Sequence, residues 1–380
     1  MKKNDTAKKA IALHKKMGGK IRIAPALPIK SRADMSLQYT PGVAAVSMLV
    51  AKNNKLARDY TIKGKMIAVI SDGSAVLGLG NIGALGALPV MEGKAALFKA
   101  FADVDAFPIV LDTQSVDEIV DTIIRIAPAF GGINLEDFAA PNCFEIENRV
   151  KAALNIPVMH DDQHGTAIAV LAALINATKV VKKDFKKLKV VVAGAGAAGT
   201  AVTKLLLKAG VADIIVLDRK GTLYKNRRDL SGHKKELAAS TNPRGVEGSL
   251  QDALRGADAV LGVSGPGLMT AKDVELMAEK AIVLAMANPT PEIMPEDAKK
   301  GGAAVIGTGR SDYPNQINNS LVFPGVFRGA LDNKVTKITD DMKLKAAQNL
   351  AALVKKPTFD KIVPGPFDKG VVEAVAKAIK

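Results

Sequence analysis

The sequence has little of several residue types, and each shortage narrows the classes of protein to which it can belong. It contains 1 cysteine, Cys143, among 380 residues, so it cannot carry an internal disulfide framework, and we expect a reducing compartment. It has no tryptophan and only 4 tyrosines, too few aromatic rings for stacking on single-stranded bases. The net charge of +15 therefore indicates a solvated basic surface that attracts anionic small molecules, and no nucleic-acid partner.

Long uninterrupted apolar runs are also missing. No run reaches the ~18 residues that a membrane-spanning helix needs, and the lysine-rich start lacks the apolar core and cleavage site of a signal peptide. We expect a cytoplasmic protein with no membrane partner. At 380 residues and 48% hydrophobic content, the chain is long enough for two domains, each with its own core.

The sequence does contain a glycine-rich turn between an apolar run and a helical pattern. Residues 189–199 read Lys-Val-Val-Val-Ala-Gly-Ala-Gly-Ala-Ala-Gly, and helical spacing continues to Lys208. A strand, a tight turn and a helix N-terminus in this order hold the pyrophosphate of a dinucleotide. The next apolar run ends in a carboxylate, placed to bond a ribose hydroxyl. The predicted cofactor residues are Gly194, Ala195, Gly196, Ala197, Ala198, Gly199, Asp218 and Arg219.

The choice between NAD and NADP depends on the residues that follow this second run. Asp218 favours NAD because its carboxylate bonds the ribose hydroxyls and repels a 2′-phosphate. Arg219 and Lys220, which come next, would instead accept that phosphate. We predict NAD, with NADP as the alternative.

A second Gly-x-Gly-x-x-Gly motif, Gly78 to Gly83, is a weaker candidate. The segment Ser71-Asp-Gly-Ser-Ala-Val follows the preceding apolar run before the motif begins, and Pro89 and Gly93 break the run that follows. We therefore interpret it as a glycine-rich loop that lines a cleft.

Strand candidates alternate with helical patterns along most of the chain, which is typical of parallel sheets with crossover helices. A long apolar helix at 166–178 and a charged connector at 179–187 separate two sets of strands. The first set is predicted at 66–70, 107–111, 131–135 and 157–160, and the second at 189–193, 213–217, 258–261, 281–285 and 303–306. We predict an α/β fold with an N-terminal α/β domain over 1–165, a Rossmann-type dinucleotide-binding domain over 166–330 and C-terminal helices over 331–380.

Two acidic pairs follow strand candidates of the first set. Glu136 and Asp137 come after one strand, and Asp161 and Asp162 after the next. Ligands of open α/β sheets bind at the carboxyl ends of the strands, and carboxylates gathered there repel one another unless a cation lies among them. Mg²⁺ or Mn²⁺ prefers such oxygen ligands, so we predict that the N-terminal domain is the substrate and metal domain. Either pair alone is also typical of a solvated turn or a helix cap.

Four other side chains have competing interpretations. His160 and His164 have the spacing of zinc ligands on a helix, but no glutamate follows the first histidine, so packing at a turn is favoured. Lys94 lies alone in an apolar helical run, where it is either a desolvated base or a side chain that reaches solvent. Tyr39 precedes a tight turn, where it either anchors the loop or acts in catalysis.

Seven short segments follow one another in a fixed order along the chain. They are Tyr39-Thr-Pro-Gly-Val, Gly78-Leu-Gly-Asn-Ile-Gly, Glu92-Gly-Lys, Leu135-Glu-Asp-Phe, Asp161-Asp-Gln-His-Gly-Thr, Ala287-Asn-Pro-Thr and Asn318-Asn-Ser-Leu-Val-Phe-Pro-Gly. In this order they resemble the motifs of malic enzymes in their short bacterial form. The resemblance covers about residues 35 to 330 and implies oxidative decarboxylation of L-malate to pyruvate and CO₂, with NAD(P)⁺ and Mg²⁺ or Mn²⁺, by a homodimer.

The resemblance also implies roles for single residues. It makes Lys94 the general base, Tyr39 the general acid and Asp161 the acidic neighbour that tunes the lysine. The implied dimer raises the alternative that Tyr39 or Lys94 of one subunit completes the site of the other subunit. The implied metal ligands are Glu136, Asp137 and Asp162, and the residues that hold substrate or nicotinamide are Asn288, Asn318 and Asn319.

One departure from the family pattern concerns the substrate. Larger members have an arginine that grips a malate carboxylate before the glycine-rich loop, where this chain has Ser74 and Ala75. This leaves room for a metal-dependent oxaloacetate decarboxylase with little net redox activity. Independently of this departure, a basic nucleotide- or nucleic-acid-binding protein on the same scaffold is a further alternative.

Overall fold

The computed structural model describes residues 3–380 and begins with four helices. These are α1 (Lys3–Met17), α2 (Arg32–Gln38), α3 (Val43–Lys52) and α4 (Ala57–Tyr60). The sequence predicted α3 and the part of α1 that begins at Lys8. It did not predict the short helices α2 and α4. No residue of α2, α3 or α4 is buried, although α3 is largely apolar, so this part of the chain has an unusually exposed apolar surface.

A four-stranded parallel sheet follows, with the order β2-β1-β3-β4. Its strands match the four predicted ones to within two residues at each end. They are β1 (Met66–Ser71), β2 (Asp105–Val110), β3 (Gly132–Leu135) and β4 (Val158–His160), connected by α5 (Gly83–Ala102), α6 (Val116–Ile126) and α7 (Asn142–Ala153).

Pro89 and Gly93 do not break the run after the Gly78–Gly83 motif as predicted, because the helical pattern near residues 84–101 forms one continuous helix, α5. A proline inside a helix costs about 3 kcal/mol. Ala87, Met91 and Phe98 are fully buried along this helix, and burying large apolar side chains contributes about 2 kcal/mol each. Tertiary packing of the helix therefore offsets the tendency of Pro89 to break it.

The central helix α8 (Asp161–Val181) connects the first sheet to the second. It begins five residues before the predicted start at 166, directly after β4. Its length and hydropathy would suffice to cross a membrane, yet 72% of its apolar window is buried inside the protein. It is therefore a core helix. The proposed domain division between 165 and 166 falls inside it.

The second sheet has six strands in the order β10-β9-β8-β5-β6-β7, and all pairings are parallel except that of β6 with β7. The strand order changes direction between β5 and β8, the position where such sheets bind nucleotides. The elements are β5 (Lys189–Ala193), α9 (Ala197–Lys208), β6 (Asp213–Asp218), β7 (Gly221–Thr222), α10 (Gly232–Ser240), α11 (Leu250–Leu254), β8 (Ala259–Gly262), α12 (Ala271–Glu275), β9 (Ile282–Ala285), α13 (Pro295–Lys300) and β10 (Val305–Thr308).

Three further helices end the chain: α14 (Phe323–Asp332), α15 (Asp340–Ala352) and α16 (Val371–Ala376). The sequence predicted the last two, although α16 is shorter than the predicted 370–380. The largest hydrophobic core combines side chains from β1, α8, β5, α14 and α15, so both sheets share one core around α8. The predicted α/β fold, with a Rossmann-type sheet and C-terminal helices, is confirmed.

Candidate functional site

The two predicted acidic pairs meet at one edge of the first sheet. Glu136 and Asp137 directly follow β3, whereas Asp161 and Asp162 form the first turn of α8, directly after β4. The parallel register places the last residues of β3 and β4 opposite each other, so the residues that follow lie side by side. One oxygen from each of Glu136, Asp137 and Asp162 lies within 4.8 Å of the others.

Lys94 reaches this cluster from α5. Its Nζ lies 2.7 Å from Glu136 Oε1 and also pairs with Asp161 Oδ2. The lysine is 7% exposed and Asp161 is fully buried, so Lys94 does not extend to solvent. The ring of Phe323, at the start of α14, has its centroid 4.2 Å from Nζ, which adds a cation–π contact.

The cluster has more negative than positive charge, and the titration of its members reflects this excess. Burial by itself lowers the pKa of Lys94, but Asp161, Glu136 and Asp162 raise it by more, so that the pKa lies well above its ordinary value. Burial raises the pKa of Asp161 to about 6 and that of Glu136 well above its usual range. Without a cation at the site, the surrounding carboxylates therefore outweigh the effect of burial on Lys94.

The donor set of this cluster fits a hard divalent cation. Three carboxylate oxygens within ligand spacing of one another are what Mg²⁺ or Mn²⁺ takes, with further positions left to water or substrate. The Asn134 amide donates to Glu136 Oε2 over 2.9 Å, and the Asp137 N–H donates to Asp162 Oδ2 over 2.7 Å. Within residues 3–380, Asp161 Oδ1 and Asn134 Oδ1 are buried without a hydrogen-bond partner, so added positive charge would be accommodated.

The loop that lacks an arginine is bonded to the same cluster. Ser74 Oγ donates to Asp72 Oδ1 over 2.6 Å and accepts the N–H of Ala139 over 2.9 Å. The Ala75 N–H donates to the carbonyl of Asp137, also over 2.9 Å. These short bonds use the small side chain and the backbone, and they hold the loop close to the predicted metal ligands.

The three predicted asparagines occupy different surroundings. A Cβ on Gly165 would lie 1.9 Å from Asp161 Oδ1 and 3.1 Å from Asn319 Cβ, so Asn319 packs beside the carboxylate cluster. Asn318 instead accepts the N–H of Ser320 over 2.8 Å and caps its own turn. Asn288 is exposed on the loop after β9.

Tyr39 is not brought to the cluster within this chain. It is 66% exposed at the end of α2, and within residues 3–380 its hydroxyl makes no hydrogen bond. Its backbone N–H and carbonyl bond to Met35 and Val43, so the backbone of the residue closes the turn while the ring faces outward.

The two histidines belong to a buried network around Glu147. His164 Nε2 lies 3.0 Å from Glu147 Oε2, and the His160 backbone N–H donates to Glu147 Oε1 over 2.8 Å. Burial lowers the pKa of His164 to about 4. Among residues 3–380 the one group with metal-ligand geometry contains no histidine, so the packing interpretation describes both histidines.

A second candidate site lies at the carboxyl ends of the six-stranded sheet. It is a cavity of about 1640 Å³ between the turn after β5, the end of β6 and the loop after β8. Of the predicted cofactor residues, Gly194, Ala195, Gly196, Asp218 and Arg219 line it. Ala197, Ala198, Gly199 and Asn288 are not in its lining.

Each glycine of the Gly194–Gly199 motif is required for a different steric reason. Gly194 has φ +132°, and a Cβ there would lie 2.6 Å from the Val263 carbonyl oxygen. A Cβ on Gly199 would lie 1.8 Å from the Gly194 oxygen, so only glycine lets α9 pack against the turn. A Cβ on Gly196 meets nothing within 4 Å, which leaves open the side from which a pyrophosphate would approach.

Gly78 of the other glycine motif lies elsewhere, against the loop after β9. A Cβ there would be 2.2 Å from the Asn288 carbonyl oxygen. The Gly78–Gly83 motif therefore joins the N-terminal part of the chain to the Rossmann-type sheet. It does not line the large cavity.

Asp218 is not a free carboxylate at the cavity edge. Its Oδ1 lies 2.9 Å from Arg227 and its Oδ2 lies 2.7 Å from Lys234, and the Lys220 N–H donates to Oδ1 over 2.9 Å. Burial raises the pKa of Asp218, but these donors lower it by more. The carboxylate is therefore ionised and its charge is offset by two cations.

Comparison with known proteins identifies the two parts of the chain. The sequence model of the malic enzyme N-terminal domain matches residues 18–151, and that of the malic enzyme NAD binding domain matches residues 163–377. The chain belongs to the malic enzyme family. It is thus an NAD(P)-dependent, decarboxylating oxidoreductase.

Individual relatives cover the chain almost completely. The bifunctional malic/malolactic enzyme of Bacillus subtilis is 52% identical over 373 residues, which are 97% of this chain and 91% of the relative. The NAD-dependent malic enzyme of Geobacillus stearothermophilus is 53% identical over 365 residues, 96% of this chain and 76% of the relative. The crystal structure of the NAD-dependent malic enzyme of Thermotoga maritima superposes with a TM-score of 0.95 at 47% identity, covering 98% of both chains.

Some residues of this malic enzyme site were not singled out from the sequence. Asn134 supports Glu136 from inside β3, and Phe323 faces Lys94 from α14. The only signal for Asn134 is its position as a polar residue in an otherwise apolar strand. Phe323 lies in one of the family motifs, but no pattern in the sequence shows that its ring faces a lysine 229 positions earlier.

Proposed function

We propose that this chain oxidises and decarboxylates L-malate to pyruvate and CO₂, with a nicotinamide dinucleotide and Mg²⁺ or Mn²⁺. The observation that supports this most is the convergence of Lys94 and Asp161 with three carboxylates of metal-ligand spacing. A base beside a cation site, at the carboxyl ends of the strands, is what proton removal from a 2-hydroxy acid requires.

Glu136, Asp137 and Asp162 would hold the cation in this proposal. When bound, it supplies positive charge that offsets the carboxylates and polarises the C2 oxygen of malate. With that charge present, a neutral Lys94 would take the C2 hydroxyl proton, while Asp161 orients the amine. A bound dinucleotide supplies the acceptor for the hydride that leaves C2.

Tyr39 is proposed as the acid that protonates C3 of the enol left after CO₂ departs. Its exposed position on α2 supports delivery from a second subunit, as does the apolar surface around it. Leu37 is 77% exposed and Met48 60%, and apolar side chains gathered on one surface mark an interface. We therefore propose a homodimer in which Tyr39 of one protomer serves Lys94 of its partner.

Mixing two inactive variants tests this arrangement. Tyr39→Phe and Lys94→Met each lack one group, and a hybrid dimer has one site with both groups native only if each site combines Lys94 of one subunit with Tyr39 of the other. If Tyr39 acts across the interface, subunit exchange restores about a quarter of the wild-type activity at random mixing. Mixing without any recovery, although hybrids are shown to form, would place both groups in one subunit.

NAD is the proposed cofactor, with NADP as an alternative. Asp218 at the cavity edge supports NAD, because a carboxylate there bonds ribose hydroxyls. Arg227 and Lys234 offset its charge, and Arg219 and Lys220 line the same cavity, so a 2′-phosphate is not strongly repelled. The ratio of kcat/KM for NAD⁺ and NADP⁺ measures the preference.

One assay tests the function as a whole. Malate is supplied with each nicotinamide, with and without Mn²⁺, and NAD(P)H, pyruvate and lactate are quantified. We expect NADH and pyruvate in equal amounts and no reaction with a chelator. If the chain consumes oxaloacetate but reduces no nicotinamide from malate, the metal-dependent decarboxylase replaces the proposal. Lactate without NADH would indicate a malolactic reaction.

A further inference from the structure

Glu292 lies buried between the loop after β8, which borders the proposed cofactor cavity, and the loop after β9. It follows the turn after β9, and its side chain is fully buried. Within residues 3–380 no lysine, arginine or histidine forms an ion pair with it. A buried carboxylate without a cation is costly unless hydrogen bonds satisfy it, so its partners identify what the residue does.

Both of its oxygens accept backbone N–H groups, one from each loop. Oε1 accepts the N–H of Ser264 over 2.8 Å, and Oε2 accepts the N–H of Ala287 over 3.0 Å. Ser264 belongs to the loop after β8 and lines the cavity. Ala287 precedes Asn288 on the loop after β9. One side chain therefore sets the distance between the two loops.

The backbone around Glu292 strengthens the same connection. The N–H of Met269 donates to the Glu292 carbonyl over 3.0 Å, and the N–H of Gly267 donates to the Pro291 carbonyl over 3.2 Å. The loop after β8 is thus bonded along its length to the segment that carries the carboxylate. On the other side, Asn288 touches Gly78 of the N-terminal domain.

The end of β8 is shaped to admit this carboxylate. A Cβ on Gly262 would lie 2.6 Å from Glu292 Cδ and 2.7 Å from Oε2. Real Cβ atoms do not approach other atoms so closely, so any other residue at 262 would displace the side chain. Gly262 and Glu292 therefore act as a pair.

We propose that Glu292 is a positioning residue, which holds the loops after β8 and β9 in the geometry that binds the dinucleotide next to the metal site. The proposal rests on the proposed function, because it assigns the cavity to a dinucleotide. It adds a role for a residue that touches neither substrate nor metal ligand.

Glu292→Gln is the direct test. Glutamine has one carbonyl oxygen, so it can accept only one of the two N–H groups and turns its own NH₂ toward the other. We expect the dissociation constant for NADH, measured by its fluorescence, and the KM for NAD⁺ to rise by roughly tenfold. The affinity for Mn²⁺, measured by electron paramagnetic resonance, should stay within about twofold, because that site uses other residues.

Gly262→Ala is a second, independent variant that keeps the carboxylate but takes its space. It should raise the same two constants, and combining it with Glu292→Ala should add little to the effect of Glu292→Ala alone, because the residue it displaces is gone. Additive effects in the double variant would contradict the pairing. Circular dichroism of each variant shows whether it is folded.

Asp258→Asn is the matched control. Asp258 also accepts a backbone N–H, that of Lys189 over 2.9 Å, but it directly precedes β8, at the opposite end of the strand. It should leave the NADH affinity unchanged. If Glu292→Gln binds NADH as the wild type does, the positioning role is wrong while malate oxidation by the wild type still stands. A wild-type protein that binds no NADH and oxidises no malate overturns the proposed function and this role with it.

Discussion

The carboxyl ends of the two sheets build their sites from opposite materials. At the end of β3 and β4, charged side chains converge: Lys94 meets Asp161 and Glu136 in a space that is almost fully buried. At the end of β5 the site consists of backbone: Gly194 and Gly196 form the turn, Gly199 lies in the first turn of α9, and the space beside Gly196 is open. The first edge is thus organised by charge and the second by backbone shape.

This difference determines what each site tolerates. A buried group of charges is sensitive to the loss of any one member, because the remaining charges are left uncompensated. A turn made of glycines is sensitive to any added carbon atom, since the backbone or a ligand already occupies the space. Removing charge should therefore damage the first edge, and adding a methyl group should damage the second.

Lys94→Met should have the largest effect of any substitution. Loss of a positioned base lowers kcat by about 10³-fold. Three carboxylates then remain without their cation, so the free energy of unfolding should fall by roughly 3 kcal/mol without metal. Urea unfolding with and without Mn²⁺ checks this, and Mn²⁺ should recover more stability in the variant than in the wild type.

A matched control for that experiment is Lys63→Met. Lys63 donates to the backbone carbonyls of Ala127, Pro128 and Phe130 and touches no carboxylate of the cluster. Its loss should reduce stability by a similar amount with and without Mn²⁺. An equal Mn²⁺ response in both variants would mean that Lys94 does not offset the carboxylates.

The glycine turn can be tested with two alanine substitutions. One should disturb the protein itself, and the other only its ligand. Gly199→Ala places a Cβ 1.8 Å from the Gly194 oxygen, so it should lower both the thermal midpoint and the NADH affinity. Gly196→Ala meets no atom within 4 Å in the free protein, so stability should be nearly unchanged while NADH binding weakens about tenfold or more. A Gly196→Ala protein that binds NADH normally would show that the pyrophosphate does not approach there.

A smaller effect is expected from the cations around Asp218. Arg227→Ala removes one of the two charges that offset this carboxylate, so a 2′-phosphate should be repelled more strongly. The ratio of kcat/KM for NAD⁺ over NADP⁺ should rise by about tenfold, which corresponds to 1–2 kcal/mol of partly screened charge. An unchanged ratio would place the ribose away from Asp218.

Much of this organisation was predictable from the sequence, because strand ends and glycine spacing are local signals. Apolar runs located both sheets, and the acidic pairs were expected to meet since parallel neighbours end at one edge. The partners of each oxygen were not predictable. The pairing of Glu136 with Lys94 depends on how α5 packs, and α5 itself continues through Pro89 because of that packing.

The same limit applies to the second sheet. Asp218 was expected to face a ribose, but its contacts with Arg227 and Lys234 arise from the segment after the β6–β7 hairpin and from α10. Glu292 carried no signal, since nothing in its neighbourhood along the chain shows that its two oxygens bond the loops after β8 and β9. The domain boundaries stay a prediction.

The last expected effect appears only at alkaline pH, and it separates burial from charge pairing. Cys143 in α7 is fully buried like Asp161, but within residues 3–380 no cation contributes to its pKa as Lys94 does to that of Asp161. Burial, with a smaller contribution from Asp162 and Glu147, raises the pKa of its thiol from 9.0 to about 12. The unfolded chain therefore loses this proton first as the pH rises, so the folded state loses stability between pH 9 and 12, by up to about 1.4 kcal/mol per pH unit. Cys143→Ala removes this contribution. Between pH 8 and pH 10.5, the free energy of unfolding measured in urea should fall by about 2 kcal/mol more in the wild type than in the variant. An equal fall in both proteins would mean that the thiol ionises as readily in the folded protein as in the unfolded chain.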